Sequence, residues 1–135
     1  MLLKFLGKYR DTGLLIMRLG LGIAFLIHGL PKLVGGPAKW EMLGKSMGHL
    51  GVDIFPVFWG FMAAVSEGIG GLLLILGLFY RPICLMLSFT MLVATLTLAA
   101  PKGRDFKDYS HPLKLIFVFV GLACVGPGRL SIDKD

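Results

Sequence analysis

One carboxylate, Glu67, stands at the centre of twenty-five almost wholly apolar residues, 55–79. A charge at the middle of a hydrocarbon layer costs at least about 2.5 kcal/mol, so an acid placed there must be compensated or used. Arg18 is a candidate partner. It lies four to six residues inside another apolar run, at a depth that agrees with that of Glu67 when the two runs are set antiparallel. An ion pair would offset the burial of both and fix the helix register. The same pair can bind a polar headgroup or relay a proton, or Arg18 can snorkel to the surface and leave the acid by itself. His28-Gly29-Leu30-Pro31-Lys32 sets an imidazole and an ammonium at the far mouth of the first run, near Trp40. A quinone or another amphipathic ligand can be hydrogen-bonded there, although an interfacial His beside a snorkelling Lys needs no ligand at all. Tyr109 and His111, at the start of the last run, fall on the same side and can line that mouth. Cys84 and Cys124, forty residues apart, come to one surface if the runs alternate in direction. A redox dithiol is then conceivable, against the plainer reading as two packing residues. His28, His49 and His111 are too scattered for a metal set, and there is no C-x-x-C, nucleotide loop, haem motif or hydrolase triad. Neither a metal nor a cofactor held by the chain alone is expected.

The elements that must position these residues are membrane spans. The chain has 135 residues, 56% of them hydrophobic, with a mean hydropathy of +0.79, which is too apolar for a water-soluble domain of that length. Its net charge of +6 does not point to nucleic acid, because the basic residues cluster at the ends of apolar runs. Lipid headgroups are the expected partner. Spans are expected at about 12–31, 55–79, 83–100 and 110–125. At 1.5 Å per residue the second covers roughly 37 Å, more than a hydrocarbon core of roughly 30 Å. The basic start, with Lys4, Lys8 and Arg10, looks like a signal peptide, but the following run contains Arg18 and no small-residue cleavage site, so it is read as a retained span.

Arg18, Gly22, Phe25, Gly29 and Lys32 share one helical stripe of the first span, and Gly60, Ala63, Ala64, Glu67 and Gly71 share one of the second. Small residues let helices approach, so both stripes should face the bundle interior. Between these spans Trp40, Leu43, Met47 and Leu50 recur at helical spacing behind Pro37, which predicts a short interfacial helix over about 38–50. Ser110 is the expected cap of the last span, and Gly126-Pro127-Gly128 its end. Short links make the expected fold an all-α membrane protein, four transmembrane helices in an antiparallel up-down bundle forming a single domain over 1–135. Basic residues divide six to six between the two sides, and the basic N-terminal segment tilts both termini toward the cytoplasm.

With these residues assembled, the chain resembles the DoxX family of small four-helix inner-membrane proteins. The segments that carry the resemblance are Leu14-Leu15-Ile16-Met17-Arg18-Leu19-Gly20-Leu21-Gly22, His28-Gly29-Leu30-Pro31-Lys32-Leu33, Glu67-Gly68-Ile69-Gly70-Gly71-Leu72-Leu73-Leu74-Ile75-Leu76-Gly77 and Gly126-Pro127-Gly128-Arg129-Leu130-Ser131-Ile132-Asp133. The family is named for the membrane subunit of a thiosulfate:quinone oxidoreductase, and most members have no settled activity. The resemblance implies a multi-pass inner-membrane protein. It also raises the prior for quinone-linked redox work in which quinone or a soluble oxidoreductase subunit supplies the electron carrier. Three roles stay open: an accessory subunit with Arg18, His28, Lys32 and Glu67 around a quinone or anion, a non-catalytic anchor or assembly factor, and a small-molecule carrier.

Overall fold

The structure, a computed structural model, describes residues 2–99, 103 and 105–133. After a 3₁₀ segment, Lys4–Tyr9, come α1 (Arg10–Val34), α2 (Pro37–Gly44), a second 3₁₀ segment (Lys45–Leu50), α3 (Pro56–Leu76), α4 (Tyr80–Ala99) and α5 (Phe106–Val125). The described residues include four helices long and apolar enough to cross a membrane: α1 with the turn before it, α3, α4 and α5. The shortest have 20 residues, about 30 Å of helix.

The helix ends differ from those the apolar runs suggest, and each difference has a local cause. α1 continues past Pro31 to Val34, since an internal proline removes one backbone bond and the chain resumes with Gly35 N–H donating to Pro31 O at 3.0 Å. α3 stops at Leu76 rather than at residue 79, because Gly77 turns left-handed (φ 69°) and Leu78 N–H reaches back to Leu73 O. α4 begins at Tyr80, three residues early. Its first amides are capped by a carboxylate from the far end of the chain, Phe79 N–H and Tyr80 N–H donating to Asp133 Oδ1 and Oδ2 at 3.0 and 2.8 Å. Ala100, the expected end of that span, lies outside the described residues.

α5 begins at Phe106 under a capping box in which Asp105 and Asp108 exchange bonds. Ser110 is therefore no cap, but sits inside the helix with its hydroxyl toward Lys107 O. The predicted helix over 38–50 divides, with α2 ending at Gly44 and the 3₁₀ segment continuing to Leu50. Gly44 and Met47 are buried, while Leu50, expected on the apolar face, is exposed.

Helix contact is made backbone to backbone through glycine. A Cβ on Gly22 would stand 2.6 Å from Gly71 O, one on Gly71 2.7 Å from Gly22 O, and one on Gly29 would overlap the backbone at Gly68. α1 and α3 thus run antiparallel with their backbones in close approach at these glycines, flanked by Ile75 and Leu33. α2 is seated on the start of α3 in the same way, Gly44 against Pro56 and Gly60 against Trp40. The buried side of α1 (Leu14, Arg18, Gly22, Phe25 and Gly29) is the stripe its spacing indicates. α4 and α5 pack on each other, and Phe119 of α5 meets Phe25 of α1 edge-on at 5.3 Å between ring centroids.

The segment after α5 closes one end of the assembly. Ile132 N–H and Asp133 N–H donate to Leu76 O and Gly77 O, Arg129 N–H donates to Asp11 Oδ1, and Arg81 Nη1 donates to Ala123 O and Cys124 O. One eight-residue strap, 126–133, so joins the ends of α1, α3 and α4.

Two stability measurements follow from this packing. Gly60→Ala drives a methyl into the Trp40 carbonyl, which neither backbone can vacate cheaply, and should cost at least about 3 kcal/mol. Gly20→Ala, with nothing within 4 Å, should be neutral or stabilising by up to about 1 kcal/mol. Thermal denaturation in detergent compares the two, and equal melting temperatures would contradict the backbone contact. By the same assay Asp133→Ala should lose about 1–2 kcal/mol, the usual worth of a helix cap helped by charge.

Candidate functional site

Arg18 and Glu67 do not meet. The glycine seam sets the register of α1 on α3, and in that register Arg18 reaches the C-terminal end of α3, where its Nη1 lies against Gly77. Gly77 is ten residues from Glu67, about 15 Å along the helix. Depth counted from the ends of apolar runs misplaces the pair because those ends are not the helix ends. The guanidinium is 1% exposed. Its Nη2 donates to Leu130 O of the strap, and its Nε and Nη1 have no hydrogen-bond partner among the described residues. The carbonyl pole of α3 supplies the compensating negative potential, so Arg18 is held by a helix end and a carbonyl rather than by a carboxylate.

Glu67 is paired instead with Lys32. Nζ donates to Oε2 at 2.5 Å, with the acid side chain 7% and the lysine 29% exposed. The contact of Gly29 with Gly68 brings the last turns of α1 level with Glu67, and Lys32 follows Gly29 by three residues onto the same face. The lysine is fixed at both ends, because its carbonyl also accepts from Trp40 Nε1 at 3.0 Å. Trp40 in turn packs edge-on against Phe61. Oε1 of Glu67 takes no hydrogen bond among the described residues.

Beside Glu67 a cavity of about 640 Å³ opens between α3 and α4. Its origin is a change in packing along that pair. At Gly70 the nearest side chains are Ile83 and Leu87 of α4, whereas the 45–50 segment contacts both α3 and α4. The space left is lined by apolar side chains such as Met62, Met86 and Phe89, by the Trp59 ring, and at one end by Ser66 and Glu67. Its volume is in the range of small-molecule sites, which are mostly apolar with a few polar groups.

Of the candidate ligand-binding and redox residues, Glu67 alone lines this cavity, with Lys32 paired to it. His28 and His111 are exposed, Tyr109 is half-buried, and none of the three touches the cavity. Cys84 is buried, Cys124 is exposed, and both are free thiols. Trp59, Ser66 and Thr90 are among the cavity residues that sequence reasoning missed. Trp59 and Thr90 lie on apolar spans with no local signal that marks them as lining, and only the gap between two helices distinguishes their positions.

Comparison with known proteins gives a consistent picture. The profile of the DoxX family matches residues 13–100. The chain is 27% identical to "Inner membrane protein YphA" of Escherichia coli (strain K12), the match covering 95% of this chain and 93% of that protein. It is 31% identical to "Putative oxidoreductase CatD" of Bacillus subtilis (strain 168), covering 95% and 90%. It is 32% identical to an uncharacterized protein of Haemophilus influenzae, covering 96% and 94%. No solved structure matches it.

Lys32→Met removes the partner of a 7% exposed carboxylate. The expected loss is about 1–3 kcal/mol, below the figure for fully buried pairs because the lysine is partly exposed. Chemical denaturation of the detergent-solubilised variant measures it, and an unchanged midpoint would show that the pair adds nothing to the fold.

Proposed function

Because the chain belongs to the DoxX family, we propose that the cavity between α3 and α4 holds a quinone-type molecule and that the protein serves an inner-membrane, quinone-linked oxidoreductase as an accessory subunit. The observation that carries this reading is the coincidence of a cavity of about 640 Å³, almost wholly apolar, with a single buried carboxylate at its wall. An isoprenoid tail suits the apolar length, and a ring with oxygen substituents suits the end at Glu67. The names of the E. coli and B. subtilis relatives, an inner membrane protein and an oxidoreductase, agree with this reading.

The division of labour follows from the chemistry of the chain. Bound quinone supplies the two-electron couple, and electrons come from a partner subunit. Glu67 offers a hydrogen-bond acceptor to the hydroxyls of the reduced ring, Lys32 fixes its orientation, and Trp59, Phe89 and Met86 pack on the ring and tail. The cavity lies on the α4 side of Glu67, and His28, near which the sequence alone suggested a ligand, does not line it.

Titration of a short-chain benzoquinone into the full-length protein in lipid nanodiscs tests this. Saturable binding is expected in the parent and in His28→Ala, whose side chain is exposed. It should be lost in Ala63→Trp and in Ala94→Phe, which fill the cavity from opposite walls. Absence of saturable binding in the parent would leave a membrane anchor as the better account.

A further inference from the structure

The polar atoms on the cavity wall nearly all accept hydrogen bonds. Ser66, Thr90 and Thr97 line the cavity, and each hydroxyl hydrogen is already given to the carbonyl four residues earlier: Ser66 Oγ to Met62 O at 2.8 Å, Thr90 Oγ1 to Met86 O at 3.0 Å, Thr97 Oγ1 to Val93 O at 2.8 Å. A hydroxyl whose hydrogen is committed keeps its lone pairs and can only accept. Glu67, which lines the cavity, also accepts as a carboxylate, and the ammonium beside it is engaged on Oε2, leaving Oε1 with no hydrogen bond among the described residues. Two groups could have supplied donors. The indole N–H of Trp59 has no hydrogen-bond partner among the described residues, but Nε1 is fully covered and so is not open to a ligand in the cavity. Ser46, on the 45–50 segment, can donate or accept.

We propose that the cavity selects the hydroxyl-bearing form of its ligand, a hydroquinone, over the carbonyl-bearing quinone. The inference rests on the reading of the cavity as a quinone-type site and adds a direction to it. Quinone oxygens only accept, so against this wall they are desolvated with no donor other than Ser46. Hydroquinone O–H groups donate to Glu67 Oε1 and to Thr90 Oγ1 and satisfy both sides. A site whose buried polar groups are left unpaired by one of two isosteric ligands discriminates strongly against it. One hydrogen bond to a charged acceptor corresponds to roughly ten- to a hundredfold in affinity. Tighter binding of the reduced form also raises the potential of the bound couple, by about 30 mV for each tenfold. The bound pair is thereby a better electron acceptor than the free one.

The test uses three probes with the same isoprenoid tail, titrated under anaerobic conditions into the full-length protein in nanodiscs: a benzoquinone, its hydroquinone, and the dimethyl ether of that hydroquinone. The hydroquinone should bind at least about tenfold more tightly than either of the others. Thr90→Val, which keeps the shape and removes one acceptor, and Glu67→Gln, which introduces N–H donors, should each narrow the ratio. Saturable binding with the quinone or the ether as tight as the hydroquinone would overturn the preference and leave the cavity reading standing. A ratio unchanged in both variants would overturn the assignment of these acceptors. No saturable binding of any probe would remove the preference and the cavity reading together.

Discussion

The rest of the molecule depends on the direct contact of two backbones, α1 and α3, at Gly22 with Gly71 and at Gly29 with Gly68. In a hydrocarbon solvent no hydrophobic drive holds helices together, and close van der Waals approach must do more of the work. A glycine seam provides that approach and also fixes the register, because any slip along the pair would bring a side chain onto a backbone atom. Where each buried charge ends up is a consequence of that register. Lys32 comes level with Glu67, and Arg18 is carried to the other end of α3.

The two buried charges are accommodated by different means. Glu67 has an ammonium partner at 2.5 Å, the direct solution for an acid in a low-dielectric setting. Arg18 has the C-terminal pole of α3 and the carbonyl of Leu130. The second arrangement makes the strap after α5 part of the charge balance, and the same strap carries Asp133 to the start of α4. Residues more than fifty positions apart thus supply the caps and counter-dipoles that neighbouring sequence usually provides.

The cavity is the counterpart of the glycine seam. α3 presents small residues to α1 and α2, and its face toward α4 is left incompletely filled, with the 45–50 segment in contact with both helices beside the cavity. Space, an acid and a row of accepting hydroxyls therefore coincide on one side of α3, while the tightly packed side carries the lysine that orients the acid. This separates a face of α3 packed closely against α1 and α2 from a face that borders the cavity.

Much of this was legible in the residues alone. Four spans follow from hydropathy because apolar length is a property of the chain itself, and the inward stripes of α1 and α3 follow from a period of 3.6 with small residues at the contacts. Glu67 stood out because an acid among apolar residues is costly in any fold. The partner of Glu67 was not legible, since pairing across helices depends on a register set by backbone approach to fractions of a turn. Helix ends were shifted by caps supplied from a distance, as with Asp133 at α4. The lining of Trp59, Ser66 and Thr90 was decided by tertiary structure alone, because a cavity is made where two surfaces fail to meet, and no single segment records that failure.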